Sequence, residues 1–137
     1  MSGPCDDRRV AESLEHIYRG YLDALNERRF GDLGQFVHDE VVRNGQTLTA
    51  QQYAQFIADD VAAIPDLTYV IDQLVSSDDT VAARHWFDCT PAREFLGVAP
   101  SGRRVQFAEH VFYRFRDRRI EQVWSLIDTD ALRDQLT

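Results

Sequence analysis

Between residues 7 and 26 the apolar positions Val10, Leu14, Ile17, Tyr18, Tyr21 and Leu25 return at three- and four-residue spacing. That is the period of a helix with one face turned to a core, so a long amphipathic helix is predicted over 7–26. Phe30, Leu33 and Phe36 predict a short second helix over 30–37 against the same core, followed by an extended segment at 41–44 and a turn at Asn44-Gly45. Thr49 and Gln52 have the spacing of a capping box, in which each side chain satisfies the other residue's backbone N–H. A third helix therefore starts at Thr49, carries Tyr53, Phe56, Ile57, Val61 and Ile64 as its apolar stripe, and ends before Pro65.

Beyond Pro65 the period falls from about 3.6 to 2. Strands are predicted over 67–75, 81–90, 103–115 and 119–128, with Ser76-Ser77-Asp78-Asp79 joining the first two and a longer loop at 91–102. A last helix spans 129–136. Helices followed by a meandering antiparallel sheet make an α+β plan in which the helices cover one sheet face. A strongly curved sheet around the long helix leaves a cone with an open end, a natural small-molecule pocket.

The 137 residues suit one domain, taken as 7–137 after a flexible tail at 1–6. No run of about 18 apolar residues occurs, which argues against a membrane span or a signal peptide and for a cytoplasmic protein. The net charge of -8 argues against nucleic acid as a partner. Arg114, Arg116, Arg118 and Arg119 read as a solvated hairpin tip. All 15 basic residues are arginine, and without lysine no Schiff base can form on a side chain. Nucleophile-elbow, phosphate-loop and dinucleotide motifs are also missing. Cys5 and Cys89 lack metal-type spacing and are expected as free thiols. The chemistry is left to Asp, Glu, His, Tyr and Arg, with or without a metal.

The most informative stretch is the hairpin that ends in Trp124-Ser125-Leu126-Ile127-Asp128. Alternation places Ile120, Gln122, Trp124, Leu126 and Asp128 on one face, read as the cavity face from its aromatic content. With a simple turn at 116–119, the inward residues of the preceding strand are Phe107, Glu109, Val111, Tyr113 and Phe115, and His110 points outward. One β-bulge reverses such an assignment.

Asp128 has two readings, a desolvated carboxylate that removes a proton beside a carbonyl, or the N-cap of the last helix. His110 is either a hydrogen-bond donor to an oxyanion or a strand residue facing a partner or solvent. Glu109 becomes the second acid/base group in a regular hairpin. His85 is expected inward with Val81, Ala83 and Phe87, since Arg84 and Asp88 on the other face are easier to solvate. Trp124, Phe107 and Tyr113 shape an apolar wall, Tyr21 lines the cone, and Asn44 orients a ligand carbonyl. Tyr18 and Tyr53 read as core, His16 and His38 as surface. A metal site of His85, His110 and Asp128 has no supporting ligand spacing.

Several stretches carry a resemblance: Tyr21-Leu22-Asp23-Ala24-Leu25-Asn26, Asn44-Gly45, Ile64-Pro65-Asp66-Leu67, Arg84, Glu94-Phe95-Leu96-Gly97-Val98-Ala99-Pro100-Ser101-Gly102-Arg103, and Glu121-Gln122-Val123-Trp124-Ser125-Leu126-Ile127-Asp128. Over nearly its whole length the chain resembles the SnoaL-like polyketide cyclases of the NTF2-like superfamily. The resemblance implies a cone-shaped α+β barrel, commonly a homodimer, with no cofactor. It also implies an aspartate as acid/base for an intramolecular aldol closure, with a histidine and a glutamine holding the enolate oxygen. Asp128 matches that aspartate, and His110 with Gln106 or Glu109 is the nearest match to the helper pair.

The expected function is thus a cofactor-independent cyclase or isomerase, of lyase or isomerase class, acting through an enolate on a bulky apolar carbonyl compound such as a polyketide. A noncatalytic ligand-binding or dimeric interaction module of the same fold is the alternative. A third reading, an epoxide-type hydrolase, requires two carboxylates and an arginine around one water, with Glu109 or Asp88 and Arg84 converging on Asp128.

Overall fold

The computed structural model describes residues 4–137, with side chains from Leu14 onward. The tail expected at 1–6 and the thiol of Cys5 therefore fall outside the described side chains. Helix α1 (Pro4–Asn26) buries Leu14, Tyr18, Tyr21 and Leu25 of the stripe its periodicity marks, and Leu22 and Ala24 beside them. Asn26 ties the helix end to the later chain: its amide donates to the Tyr69 carbonyl at 3.0 Å and accepts from the Tyr69 N–H at 2.7 Å.

The expected second helix is a short 3-10 helix, Phe30–Gln35, which contains Gly31 and Gly34, and Val37 belongs to a strand. That strand, β1 (Val37–Arg43), is longer than the segment predicted at 41–44 because Val37 and Val41 both enter the core. Asn44 and Gly45, with φ of 47° and 83°, turn the chain into β2 (Gln46–Thr49), an antiparallel partner that the period had not revealed. Helix α2 (Ala50–Ala63) opens on the predicted capping box: the Thr49 hydroxyl accepts from the Gln52 N–H at 3.0 Å and the Gln52 side chain accepts from the Thr49 N–H at 2.9 Å.

The remaining strands are β3 (Val70–Ser76), β4 (Thr80–Cys89), β5 (Val105–Arg116) and β6 (Arg119–Ile127), and α3 (Thr129–Leu136) closes the chain. β3 begins after Leu67 and Tyr69 because their N–H groups are used elsewhere, by the Ile64 carbonyl and the Asn26 side chain. The sheet order is β2-β1-β6-β5-β4-β3, with β1 and β6 parallel and the other pairs antiparallel. Helices and inner sheet face enclose two clusters of buried side chains. One surrounds Tyr18, Tyr21, Leu25, Val41 and Val123; the other surrounds Ile64, Leu67, Phe87, Phe95, Phe107 and Leu132.

The β5–β6 hairpin decides which side chains reach the hollow. Arg116 pairs with Arg119 across Asp117-Arg118, both at positive φ, so the turn is the simple one. One residue later the register slips, because Phe115 faces Ile120 while Arg114 faces Gln122 and Glu121 is the extra residue of a bulge. From that point Val123, Ser125 and Ile127 turn inward, and Trp124 and Leu126 turn out.

Candidate active site

β4 and β5 present their inner faces in register, so that His85 lies directly across from Glu109. Both are expected inward, and both are: His85 is fully buried and the Glu109 side chain is 12% exposed. His85 Nδ1 is 2.8 Å from Glu109 Oε1. A carboxylate only accepts, so Nδ1 carries the proton, and Nε2 is left for the Tyr18 hydroxyl, which contacts it from α1. The other Glu109 oxygen accepts from the Ser125 hydroxyl on β6. Side chains from β4 and β6 thus hold one buried carboxylate, and Tyr18 of α1 backs His85.

Ser125 is itself fixed from the Asn44-Gly45 turn. Its N–H donates to Asn44 Oδ1 at 2.9 Å and its carbonyl accepts from Asn44 Nδ2 at 3.1 Å. Asn44 is exposed and uses its amide on backbone, so it positions Ser125.

Two small interior cavities meet at Glu109. One, of 30 Å³, is bordered by Tyr21, Tyr53, Tyr113, Arg43, Phe56 and Ser125; the other, of 20 Å³, by Leu67, Phe87, Phe95, Phe107 and Ile127. Asp60, Tyr69 and Glu109 line both. Each is the size of a water site. At the rim the Arg43 guanidinium sits 4.1 Å over the Phe56 ring. The hydroxyls of Tyr21 and Tyr53 are 2.6 Å apart.

The electrostatics separate these groups. Burial pushes the Glu109 carboxyl up, but the His85 hydrogen bond and charge, the Ser125 hydroxyl and Arg43 outweigh it and hold the group below its ordinary value. Burial raises Asp60, opposed by Arg43 and reinforced by Glu109 and Asp59, to about 7. The phenols of Tyr18, Tyr21, Tyr69 and Tyr113 are held well above their ordinary value, chiefly by burial, and Tyr53 is pushed up to about 12. They remain hydrogen-bond donors throughout the neutral range.

Tyr21, His85, Phe107, Glu109 and Tyr113 therefore gather in the cone as expected. Asp128, His110 and Trp124 do not. The expected cavity face of β6 is corrected by the bulge at Glu121, which sends Trp124, 38% exposed, to the outer side. His110 is exposed and accepts from Arg84 Nε at 3.2 Å. Asp128 caps α3, its Oδ1 accepting from the Ala131 N–H at 3.0 Å. It shares an outer groove of 420 Å³ with His110, Arg84 and Leu126, open to solvent and on the opposite side of the sheet from Glu109. His85 and His110 lie on opposite faces, which separates the metal set considered above. Among the described residues no cluster of three or more His, Cys, Asp or Glu is placed to hold a metal.

His38, expected at the surface, is buried and bonds the Arg116 carbonyl at 2.6 Å, because it lies near the start of β1, next to Val37 and beside the hairpin tip. Cys89 is a free, buried thiol whose pKa burial pushes up to about 12.

Sequence reasoning missed Ser125, Arg43, Tyr69 and Asp60. For Ser125 the signal was the odd spacing of Ile120 and Val123, two core residues that cannot share a face of a regular strand. For Asp60 it was helical spacing: Tyr53, Ile57, Asp60 and Ile64 form one stripe, with a carboxylate among buried apolar neighbours.

A curved six-stranded sheet packed against helices, with its polar groups gathered in the hollow, defines an NTF2-like cone. The chain belongs to the SnoaL-like polyketide cyclase family, whose family model matches residues 15–136. Among solved structures it is similar to a SnoaL-like polyketide cyclase from Agrobacterium tumefaciens strain C58. That protein is 45% identical, with a TM-score of 0.87 over 90% of this chain and 98% of that one. TsrD from Streptomyces laurentii shares the fold at 24% identity and TM-score 0.81, covering 91% of this chain and 95% of its own. So does IdmH from Streptomyces antibioticus, at 24% identity and TM-score 0.78 over 90% and 97%. No curated protein matches the chain. No described helix is long and apolar enough to cross a membrane.

Proposed function

We propose that the protein is an acid/base cyclase or isomerase that works through an enolate, with Glu109 as the proton-transferring group. The observation that carries this reading is the Glu109 carboxylate itself, buried yet held ionised by His85 and Ser125 and bordering both interior cavities. Glu109 takes a proton from the carbon beside a substrate carbonyl, and charge develops on the carbonyl oxygen. Phenols that stay protonated, Tyr21, Tyr53, Tyr69 and Tyr113, donate to that oxygen in a site with little water. His85 and Tyr18 keep the carboxylate aligned. Phe107, Phe87 and Phe95 give the apolar wall suited to a carbonyl compound of polyketide type. A substrate of that size needs the rim at Phe56 and Arg43 to move aside, since the cavities hold 30 and 20 Å³.

The test is hydrogen–deuterium exchange at the carbon next to the carbonyl of 2-tetralone, followed by proton NMR in D₂O. The expected result is catalysed exchange that Glu109→Gln lowers by about a hundredfold or more. Equal rates in the two proteins would sink the role of Glu109.

A second reading draws on Arg43, which borders the 30 Å³ cavity with Glu109 and Asp60. Two carboxyls and an arginine around a water-sized space is the arrangement an epoxide-opening hydrolase needs. It predicts transfer of ¹⁸O from labelled water to the diol formed from styrene oxide, and no deuterium in 2-tetralone.

The partner reading is a homodimer formed through the outer face of the sheet. It is supported by the large apolar side chains exposed there, Val70, Val75, Trp86, Phe112, Trp124 and Leu126.

A further inference from the structure

We propose that Asp60 is a second catalytic carboxyl, the acid that works across the cavity from Glu109 and protonates the substrate oxygen. The inference rests on the acid/base reading of Glu109 and adds to it the source and destination of the second proton.

Asp60 interrupts a buried stripe. Tyr53 and Ile57 before it on α2 and Ile64 after it, at the helix C-cap, are buried core residues. Asp60 itself is half-buried, so its carboxyl loses part of its solvation. Among the described residues its side chain makes neither a hydrogen bond nor an ion pair. The cation whose charge acts on it, Arg43, has its guanidinium on the Phe56 ring. The residue borders the interior: Asp60, Tyr69 and Glu109 are the three residues common to both cavities.

The charged and titratable groups around it come from every neighbouring element: Arg43 from β1, Glu109 from β5, Tyr69 from the approach to β3, and Tyr53 and Asp59 from α2 itself. Burial leads, and the carboxyl stands at about 7, so a large share carries its proton at neutral pH. Glu109 is displaced the other way. Two carboxyls on one cavity, with proton affinities driven apart by their surroundings, form an acid and base pair.

The proton count closes. Glu109 carboxylate takes the proton from carbon, the C–H electron pair becomes the carbon–carbon double bond, and the carbonyl π pair takes the Asp60 proton. The products are a neutral enol, Asp60 carboxylate and Glu109 carboxylic acid. In ring closure the enol carbon attacks a second carbonyl, the enol O–H proton returns to Asp60, and Glu109 protonates the new alkoxide. Both residues end as they began.

The experiment compares the full-length protein with Asp60→Asn, Asp60→Glu and Glu109→Gln. Carboxyl-carbon NMR should find one aspartate titrating near neutrality, absent in Asp60→Asn, with its midpoint lowered in Glu109→Gln once the neighbouring negative charge is removed. Exchange of 2-tetralone should fall as pH rises through about 7, where the acid loses its proton. Asp60→Asn should abolish that limb and slow exchange about tenfold to a hundredfold, and Asp60→Glu should restore the limb. An Asp60 midpoint in the ordinary carboxylate range, or exchange and pH profile unchanged in Asp60→Asn, overturns the proposal while inactivity of Glu109→Gln preserves the reading of Glu109. Absence of exchange in the unaltered protein overturns both, and so is distinct from failure of Asp60 alone.

Discussion

At the scale of single residues, two carboxylates competed for the same role and burial separates them. Glu109 is enclosed, with both oxygens engaged by side chains that reach it from β4 and β6. Asp128 is exposed and bonds the first turn of α3, where a side-chain oxygen satisfies an N–H that the helix cannot. Asparagine caps a helix about as well as aspartate. Asp128→Asn should therefore keep both the thermal midpoint and the exchange rate, while Asp128→Ala should cost about 1 kcal/mol and lower the midpoint by a few degrees. Thermal unfolding and exchange measured on the same preparations test this. Loss of turnover in Asp128→Asn with an unchanged midpoint would return Asp128 to the chemistry.

At the scale of elements, legibility tracks how strictly a segment keeps its period. In β4 the inward set Val81, Ala83, His85 and Phe87 alternates with Arg84, Trp86 and Asp88, so chemistry and period agree and the inner face can be read directly. β5 is equally plain. β6 is not, because Glu121 adds a residue that no local preference announces, and the slip exchanges Ser125 for Trp124 at the cavity. Asp60 was hidden differently, since a carboxylate beside Asp59 on a helix resembles a solvated face until the stripe through Ile57 and Ile64 is followed. The turn that sets this hairpin also carries measurable strain. Asp117 and Arg118 sit at φ of 51° and 67°, a conformation that costs an ordinary residue roughly 1–2 kcal/mol and glycine almost nothing. Arg118 is exposed and no described hydrogen bond uses its side chain. Arg118→Gly should consequently stabilise the fold by about 1 kcal/mol in chemical denaturation, less the entropy that glycine adds to the unfolded chain. A loss of stability would mean that the turn is not held in this geometry.

At the scale of the whole molecule, the two faces of the sheet divide the work. The inner face holds the Glu109 carboxylate with its His85 and Ser125 partners, and the outer face is unlike an ordinary solvated surface. Phe112 lies directly across from Trp124, and His110 across from Leu126, so the apolar side chains form cross-strand rows. Phe112 is 53% exposed and Leu126 74%. The charges beside them are already satisfied within the face: Arg84 pairs with Asp72 at 2.7 Å and Arg104 with Asp88 at 2.5 Å, while Arg114 lies 5.6 Å over the Trp124 ring. A surface whose charges are neutralised locally and whose centre is aromatic and aliphatic suits a second copy of itself, because an isologous contact sets each apolar row against the same row of its partner. A strongly cationic or anionic partner would leave that pairing unused. Placing a carboxylate at the centre, as in Leu126→Asp or Phe112→Asp, sets like charges against each other across the two-fold and should convert the protein to monomer in sedimentation velocity. Neither residue contributes to the core, so the thermal midpoint of the monomer should fall only by what assembly contributes and should lose its dependence on concentration. A protein that sediments as a monomer before substitution, or as a dimer after it, would remove the outer face from assembly and leave its exposed aromatics to another contact.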